Sequence, residues 1–142
     1  MSISKFKKWN NLIGFITFLI AFTTYSLTVE PTASYWDAAE YISTSAKLQV
    51  GHPPGAPFFQ MLGAFFASFA SNPDRIAFMI NMMSVFASAF TILFLFLTIT
   101  IIGKKIVLKN NSISNSNAII ILGSSLVGSL CFTFSDSFWF NA

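Results

Sequence analysis

Asp37, Glu40 and His52 fall within sixteen consecutive positions of a chain otherwise built of Phe, Ile, Leu and Ala. Carboxylates three apart share one face of a helix. Such a pair suits general-base work or cation binding, because a partly desolvated carboxylate gains basicity and a base must reach the proton it removes. His52 adds a base, a phosphate contact or a ligand. The three do not have the spacing of a specific metal site, so no metal is assigned and a divalent requirement stays open. Lys47 and Arg75 are the only cations expected on the same side, each a phosphate partner, Arg75 the better one through its fork, or an interfacial anchor. Tyr35, Trp36 and Tyr41 suit stacking on a sugar or a place in the headgroup belt. The plainer reading of the same residues is a solvated, helix-stabilising acid pair followed by a turn histidine.

These side chains need elements to hold them, and composition names the class. Hydrophobic residues make up 54% of the 142, there are 18 Phe and mean hydropathy is +0.68, well above an ordinary soluble domain. The apolar residues come in blocks too unbroken for soluble helices, which need a polar face. Only 9% of residues are charged, 8 basic and 5 acidic, and three of the acids, Glu30, Asp37 and Glu40, follow the first apolar block closely. The net charge of +3 is no nucleic-acid signal. Six basic residues form two clusters, Lys5, Lys7, Lys8 and Lys104, Lys105, Lys109, each flanking an apolar block as the cytoplasmic ends of membrane spans do. Membrane lipid is the expected partner and nucleic acid is not. Cys131 stands alone, so it forms no intramolecular disulfide and is expected as a buried, inert thiol.

Residues 12–29 carry no charge and approach the roughly 20 residues a hydrocarbon core requires. No A-x-A-like site follows, so they read as an uncleaved span rather than a signal peptide. Trp36 to Leu48 has helical composition and Gly51-His52-Pro53-Pro54-Gly55 stops it. In that helix Tyr41 falls beside Asp37 and Trp36 beside Glu40. Phe58 to Ala70 is too short to span and is expected along the membrane surface. Asn72-Pro73-Asp74-Arg75 breaks the run, with Asp74 as an N-terminal helix acid. Residues 76–102 form a second span, 110–117 a polar connector and 118–134 a third span. Gly123, Ser124, Ser125, Gly128 and Ser129 there allow close helix approach.

The expected fold is therefore all-α: an integral membrane domain over 1–142 with about three transmembrane helices, and short interfacial helices in an outer loop, 30–75. The lysines put the N-terminus in the cytoplasm and the loop, with Asp136, on the far side. A bacterial inner membrane with a periplasmic loop is the expected location. The abrupt end in SFWFNA reads as the N-terminal piece of a larger membrane protein.

WDAAEY, then GHPPGAP, then Asp74-Arg75, with FSDSFWFNA at the end, resembles the N-terminal region of the GT-C membrane glycosyltransferases, the protein O-mannosyltransferase-like group above all. The resemblance covers nearly the whole chain but only the first part of a family member. It implies the N-terminal part of a GT-C-type fold, a lipid-phosphate-linked sugar as donor substrate, and Ser/Thr hydroxyls of exported proteins as acceptors. It implies Asp37 as the base or acceptor-orienting group and Glu40 as the second acid of the motif. His52 and its prolines match the turn that leads to the helix bordering the site. Trp36, Tyr41, Lys47 and Arg75 remain the other candidate substrate contacts. Phe58, Phe59, Phe65, Phe66 and Phe69 offer an apolar approach for the lipid tail. A transporter, or a non-catalytic membrane subunit whose loop acids bind cations or partners, is the alternative. The lack of charged residues within the three spans weighs against a transporter.

Overall fold

A computed structural model describes residues 1–34, 36–107, 113–140 and 142. Tyr35, Lys109 and positions 110–112 of the connector lie outside the described residues. All regular structure among the described residues is helical: α1 (Ile3–Thr28), α2 (Ala38–Lys47), α3 (Pro57–Ala67), a 3₁₀ turn (Pro73–Arg75) running into α4 (Ile76–Val107), α5 (Asn115–Thr133) and the single-turn α6 (Asp136–Trp139). Helices α1, α4 with its 3₁₀ turn, and α5 are long and apolar enough to cross a membrane. No more than 33% of any of these span segments is buried. The remaining apolar surface therefore needs hydrocarbon or further protein against it. The chain divides into two compact units, Met1–Tyr25 with Ala87–Ala142, and Ser26–Phe86.

In the first unit, helix faces with small residues bring the helices close. A Cβ at Gly14 of α1 would lie 3.2 Å from the Phe96 ring of α4, so glycine permits that contact. Ser125, Ser129 and Thr133 form a buried i, i+4 row on α5, each hydroxyl donating to the carbonyl four residues back at 2.7–2.9 Å. The row thus brings small side chains inward without leaving a polar group unmet in an apolar medium. Tyr25 Oη donates to the Thr133 carbonyl at 3.0 Å, tying α1 to the end of α5. At the other end, the Met1 ammonium donates to the Ile113 carbonyl at 2.8 Å. Phe6 packs there with Phe96, Ile113, Ala118, Ile121 and Leu122. Of the small residues expected to mediate packing, Gly123 faces open space and Gly128 meets only the Ile99 side chain. Cys131 is exposed on the outer face of α5, contrary to the expected burial. Both faces of an all-apolar helix look alike by composition, and the helix phase put the serines inward instead.

The second unit is the α2–α3 hairpin and the chain around it. Leu48 adopts φ 49° and ψ 46°, so Leu48 N–H reaches the Ser45 carbonyl and Gln49 N–H the Thr44 carbonyl, closing α2. Pro57 opens α3 at its first turn, where the missing N–H costs nothing. The two helices meet through small and polar residues: Gln60 Nε2 donates to Thr44 Oγ1 at 3.3 Å and Gly63 lies against buried Ser45. Phe58, Met61, Phe65 and Phe69 face outward, while Phe59 packs on Tyr41 and Phe66 on Phe86. At 11 residues α3 is about 16 Å long, too short to cross in one pass. The chain leaving α1 is held by Asn81 of α4, whose amide donates to the carbonyls of Glu30 and Thr32 at 2.8 and 2.9 Å.

The Gly63 contact makes a prediction. A Cβ there would lie 2.7 Å from Ser45 Oγ and 2.8 Å from Ser45 Cβ, closer than real contacts allow. Gly63→Ala should destabilise the hairpin by about 1–3 kcal/mol through overpacking, read as faster amide exchange across α2 and α3. Ser45→Ala should be neutral or stabilising, since it removes a buried hydroxyl that has no partner among the described residues.

Candidate active site

The sequence D-A-A-E at 37–40 has the pattern of a capping box, in which the two side chains serve the helix's own N-terminal amides. The structure uses neither acid that way. Asp37 is the N-cap residue of α2 but has φ −76° and ψ 0°, and its side chain caps no backbone N–H. Its carboxylate takes no hydrogen bond from another described residue. Trp36 precedes it at φ 60°, a conformation that a bulky side chain rarely adopts. That sharp entry takes Trp36 out of the helix, so it does not flank Glu40 as expected, and leaves the residue 96% exposed.

Glu40 is engaged elsewhere. Its Oε1 accepts from the His52 backbone N–H at 2.7 Å and its Oε2 pairs with His52 Nδ1 at 2.8 Å. The pair joins the first turn of α2 to the turn that ends at Gly55, where Gly55 N–H donates to the His52 carbonyl at 2.8 Å and Gly55 has φ 74°. Gly51 makes this approach possible. A Cβ there would sit 3.1 Å from Glu40 Oε1 and 3.3 Å from Gln60 Nε2. The hydrogen bond from the His52 amide, then that from its ring, pulls the Glu40 carboxyl below its ordinary value. The hydrogen bond to Glu40, reinforced by the Glu40 and Asp37 charges, raises the His52 imidazole above 6.5. With Glu40 ionised, its Oε2 can only accept. The ring proton therefore belongs on Nδ1 and Nε2 is left for a ligand.

Asp37, Glu40 and His52 each offer one ligand atom, and these atoms lie within 4.8 Å of one another. The linear spacing concealed this, because the 51–55 turn rather than a helix period closes the group. A cation could use two carboxylates and an imidazole, but it would have to displace the Glu40–His52 pairing.

The other candidates are dispersed. Tyr41 packs edge-on against Phe59 with centroids 5.2 Å apart, a packing role. Lys47 is exposed in the last turn of α2, about 15 Å along the axis from Asp37. Arg75 is exposed in the 3₁₀ turn and makes no ion pair among the described residues. Tyr35 lies outside the described residues. Gly51 and Gln60 shape the site and were not expected. The signal was available: a glycine before the histidine, and the only polar side chain in α3.

Residues 37–142 match the family model described as the Protein O-mannosyl-transferase TMEM260 N-terminal domain. The chain belongs to that family. Over 85 residues it is 34% identical to a Dictyostelium discoideum protein named Protein O-mannosyl-transferase tmem260, a match covering 59% of this chain and 10% of that relative. The chain thus spans about a tenth of the length of the curated relative it matches. No solved structure matches it. The family match begins at Asp37 and includes the whole Asp37–Glu40–His52 group.

The pairing carries a pH dependence whose sign follows from the two shifts. Glu40's contribution to loop order is present above the ordinary carboxylate range and is lost as pH falls through its lowered folded value. His52's is present below 6.5 and is lost as pH rises through its raised folded value. Protection of the His52 and Gly55 amides from hydrogen exchange, corrected for intrinsic rates, should peak between these limits. The alkaline loss should be the smaller one, since the backbone N–H bond to Glu40 survives ring deprotonation.

Proposed function

We propose that this chain is the N-terminal segment of a GT-C-type membrane glycosyltransferase that moves a sugar from a lipid-phosphate-linked donor to Ser/Thr hydroxyls of exported proteins. The family membership and the relative's name support a mannosyl unit as the sugar. The observation that carries the reading is Asp37, a carboxylate that takes no hydrogen bond from another described residue, beside the Glu40–His52 pair in a loop between helices long enough to span a membrane. Asp37 is the candidate base: it takes the proton of the acceptor hydroxyl as oxygen attacks the sugar carbon and the bond to phosphate breaks.

Groups acting on opposite faces of a sugar in an inverting transfer lie about 6.5–9.5 Å apart in the analogous hydrolases. Asp37, Glu40 and His52 converge within 4.8 Å, so they serve one end of the reaction, the acceptor end. The departing phosphate then needs cations such as Lys47 or Arg75, or groups from the remainder of a longer protein. The alternative, a transporter loop, has less support, because charged residues are missing from the apolar stretches 12–28, 76–103 and 115–133.

The two lysine-bearing ends orient the spans with the loop on the exoplasmic side. That is the periplasm in a bacterium and the secretory lumen in a eukaryote such as Dictyostelium, the source of the matched relative.

Two measurements test this. In the full-length enzyme, Asp37→Asn should cut transfer from polyprenyl-phosphate mannose to a Ser/Thr peptide by about 100- to 10,000-fold while membrane insertion is unchanged. Near-normal turnover would remove Asp37 from the chemistry. In a Cys131→Ala background, Val50→Cys, at a 91% exposed position, should react with an impermeant thiol reagent added from the exoplasmic side. Lys105→Cys should not, and the reverse pattern would invert the topology.

A further inference from the structure

Glu40 has the sequence position of a second catalytic acid, yet both its oxygens are already bonded to His52, one to the backbone N–H and one to the ring. We propose that Glu40 is a positioning residue that holds the His52 ring by Nδ1, and that His52 Nε2 contacts the substrate as a second hydrogen-bonding partner, beside Asp37, for a neutral hydroxyl group. The identity of the ligand rests on the sugar-transfer reading; the pairing does not.

Three observations select a hydroxyl. The first is charge. Two carboxylic acids against one imidazole make the group acidic, which disfavours a phosphate and tolerates an alcohol. The second is the bonding capacity of Nε2. With Nδ1–H held by Glu40, Nε2 accepts when the ring is neutral and donates when it is protonated. A hydroxyl can pair with either state, whereas a phosphate oxygen pairs only with the protonated one. The third is space. Ligand atoms within 4.8 Å of one another can converge on one small group and cannot bracket a sugar ring. The charged groups facing the ring are Glu40 and Asp37, both from the N-terminal end of α2. Helix α3, packed on α2, has no charged or titratable side chain. Gly51 leaves room for the Glu40 carboxylate, since a Cβ there would crowd Oε1 at 3.1 Å. His52 is about half exposed, with 51% of its side chain accessible, so a ligand can reach the ring.

The chain has a single histidine, which makes the pairing directly observable. Nitrogen-15 spectra of the histidine-labelled chain in nanodiscs should show the Nδ1–H tautomer, with a titration midpoint above 6.5. In Glu40→Gln the amide can donate to Nδ1, so the spectrum should move to the Nε2–H tautomer and the midpoint should fall. An Nε2–H tautomer in the unmodified chain would overturn the positioning role.

The substrate contact is tested in the full-length enzyme with polyprenyl-phosphate mannose and a Ser/Thr peptide. His52→Asn keeps a donor where Nδ1 was and deletes Nε2. It should raise the KM for the peptide about tenfold, the loss of one net hydrogen bond. The KM for the donor should not change, nor should the loop's amide protection. His52→Gln, which places a polar group nearer the Nε2 position, should recover part of the loss. Unchanged kinetics in His52→Asn with an intact loop would make the histidine purely structural. A rise in the donor KM alone would reassign it to the phosphate. Absence of any transfer by the unsubstituted protein would overturn the sugar-transfer reading and the hydroxyl ligand with it, while the tautomer measurement would still decide the pairing.

Discussion

The two-point bond between the Glu40 carboxylate and His52 organises the loop. Without it, the Gly- and Pro-rich stretch after α2 would rely on the α2–α3 packing to fix where it returns. With it, a side chain in the first turn of α2 grips a backbone amide and a ring twelve residues later, and the chain enters α3 at Pro57 with its direction determined. The charge-assisted character of both bonds suits an exposed setting, where a neutral pair would compete poorly with water. It also decides which carboxylate remains available. A capping box would have used both acids within α2; the pairing uses one and leaves Asp37 without a bond from the described residues.

The α2–α3 contact reverses the usual arrangement of a soluble hairpin. The inward side of α3 presents Gln60 and Gly63 to Thr44 and Ser45, while Phe58, Met61 and Phe65 point away from the unit. In water this would expose a large apolar stripe and bury an amide for one hydrogen bond. Against hydrocarbon the same choice is favourable, because the amide finds a partner inside and the phenyl rings meet a medium like themselves. Helix α5 follows the same rule by different means, its inward Ser and Thr hydroxyls returning to their own carbonyls. Polar groups inside and apolar groups outside is therefore a shared property of the two units, which supports the membrane assignment independently of helix length.

The fold was legible where the signal is local. Apolar runs of span length, lysines at their ends and a Gly-Pro stop after α2 are properties of neighbouring residues, and the helices appear there. They run further into the polar flanks than apolar content alone implies, α1 from Ile3 and α4 to Val107, because Lys and Asn tolerate a helical backbone outside the apolar core. The faces were not legible. Cys131 and Ser129 lie on a helix with no polar side to set its phase, and only packing decides that the serine turns in. The site was legible as a neighbourhood but not as a geometry. Asp37 and Glu40 could be placed on one helix by counting; that a turn returns His52 to Glu40 depends on the room left at Gly51 and on the αL conformation of Leu48, which no residue count supplies. Trp36 shows the opposite error, since its helical composition was overruled by a single positive φ.

The compactness of the group limits what it can do alone. Sugar transfer from a phosphate separates charge across the ring: a proton leaves the acceptor on one side as negative charge builds on the leaving phosphate on the other. A site with two carboxylates and one imidazole meets the first demand and opposes the second, because added negative charge next to Asp37 and Glu40 is unfavourable. The nearest cation on the same helix is Lys47, at its far end, and Arg75 lies beyond α3. On the proposed reading, an acidic acceptor end must therefore lie apart from a cationic donor end. The family relationship gives that separation room, since the aligned stretch is a tenth of the Dictyostelium relative. On the proposed reading the loop serves the acceptor hydroxyl alone, with Glu40 holding one histidine beside Asp37, a carboxylate with no hydrogen bond from the described residues.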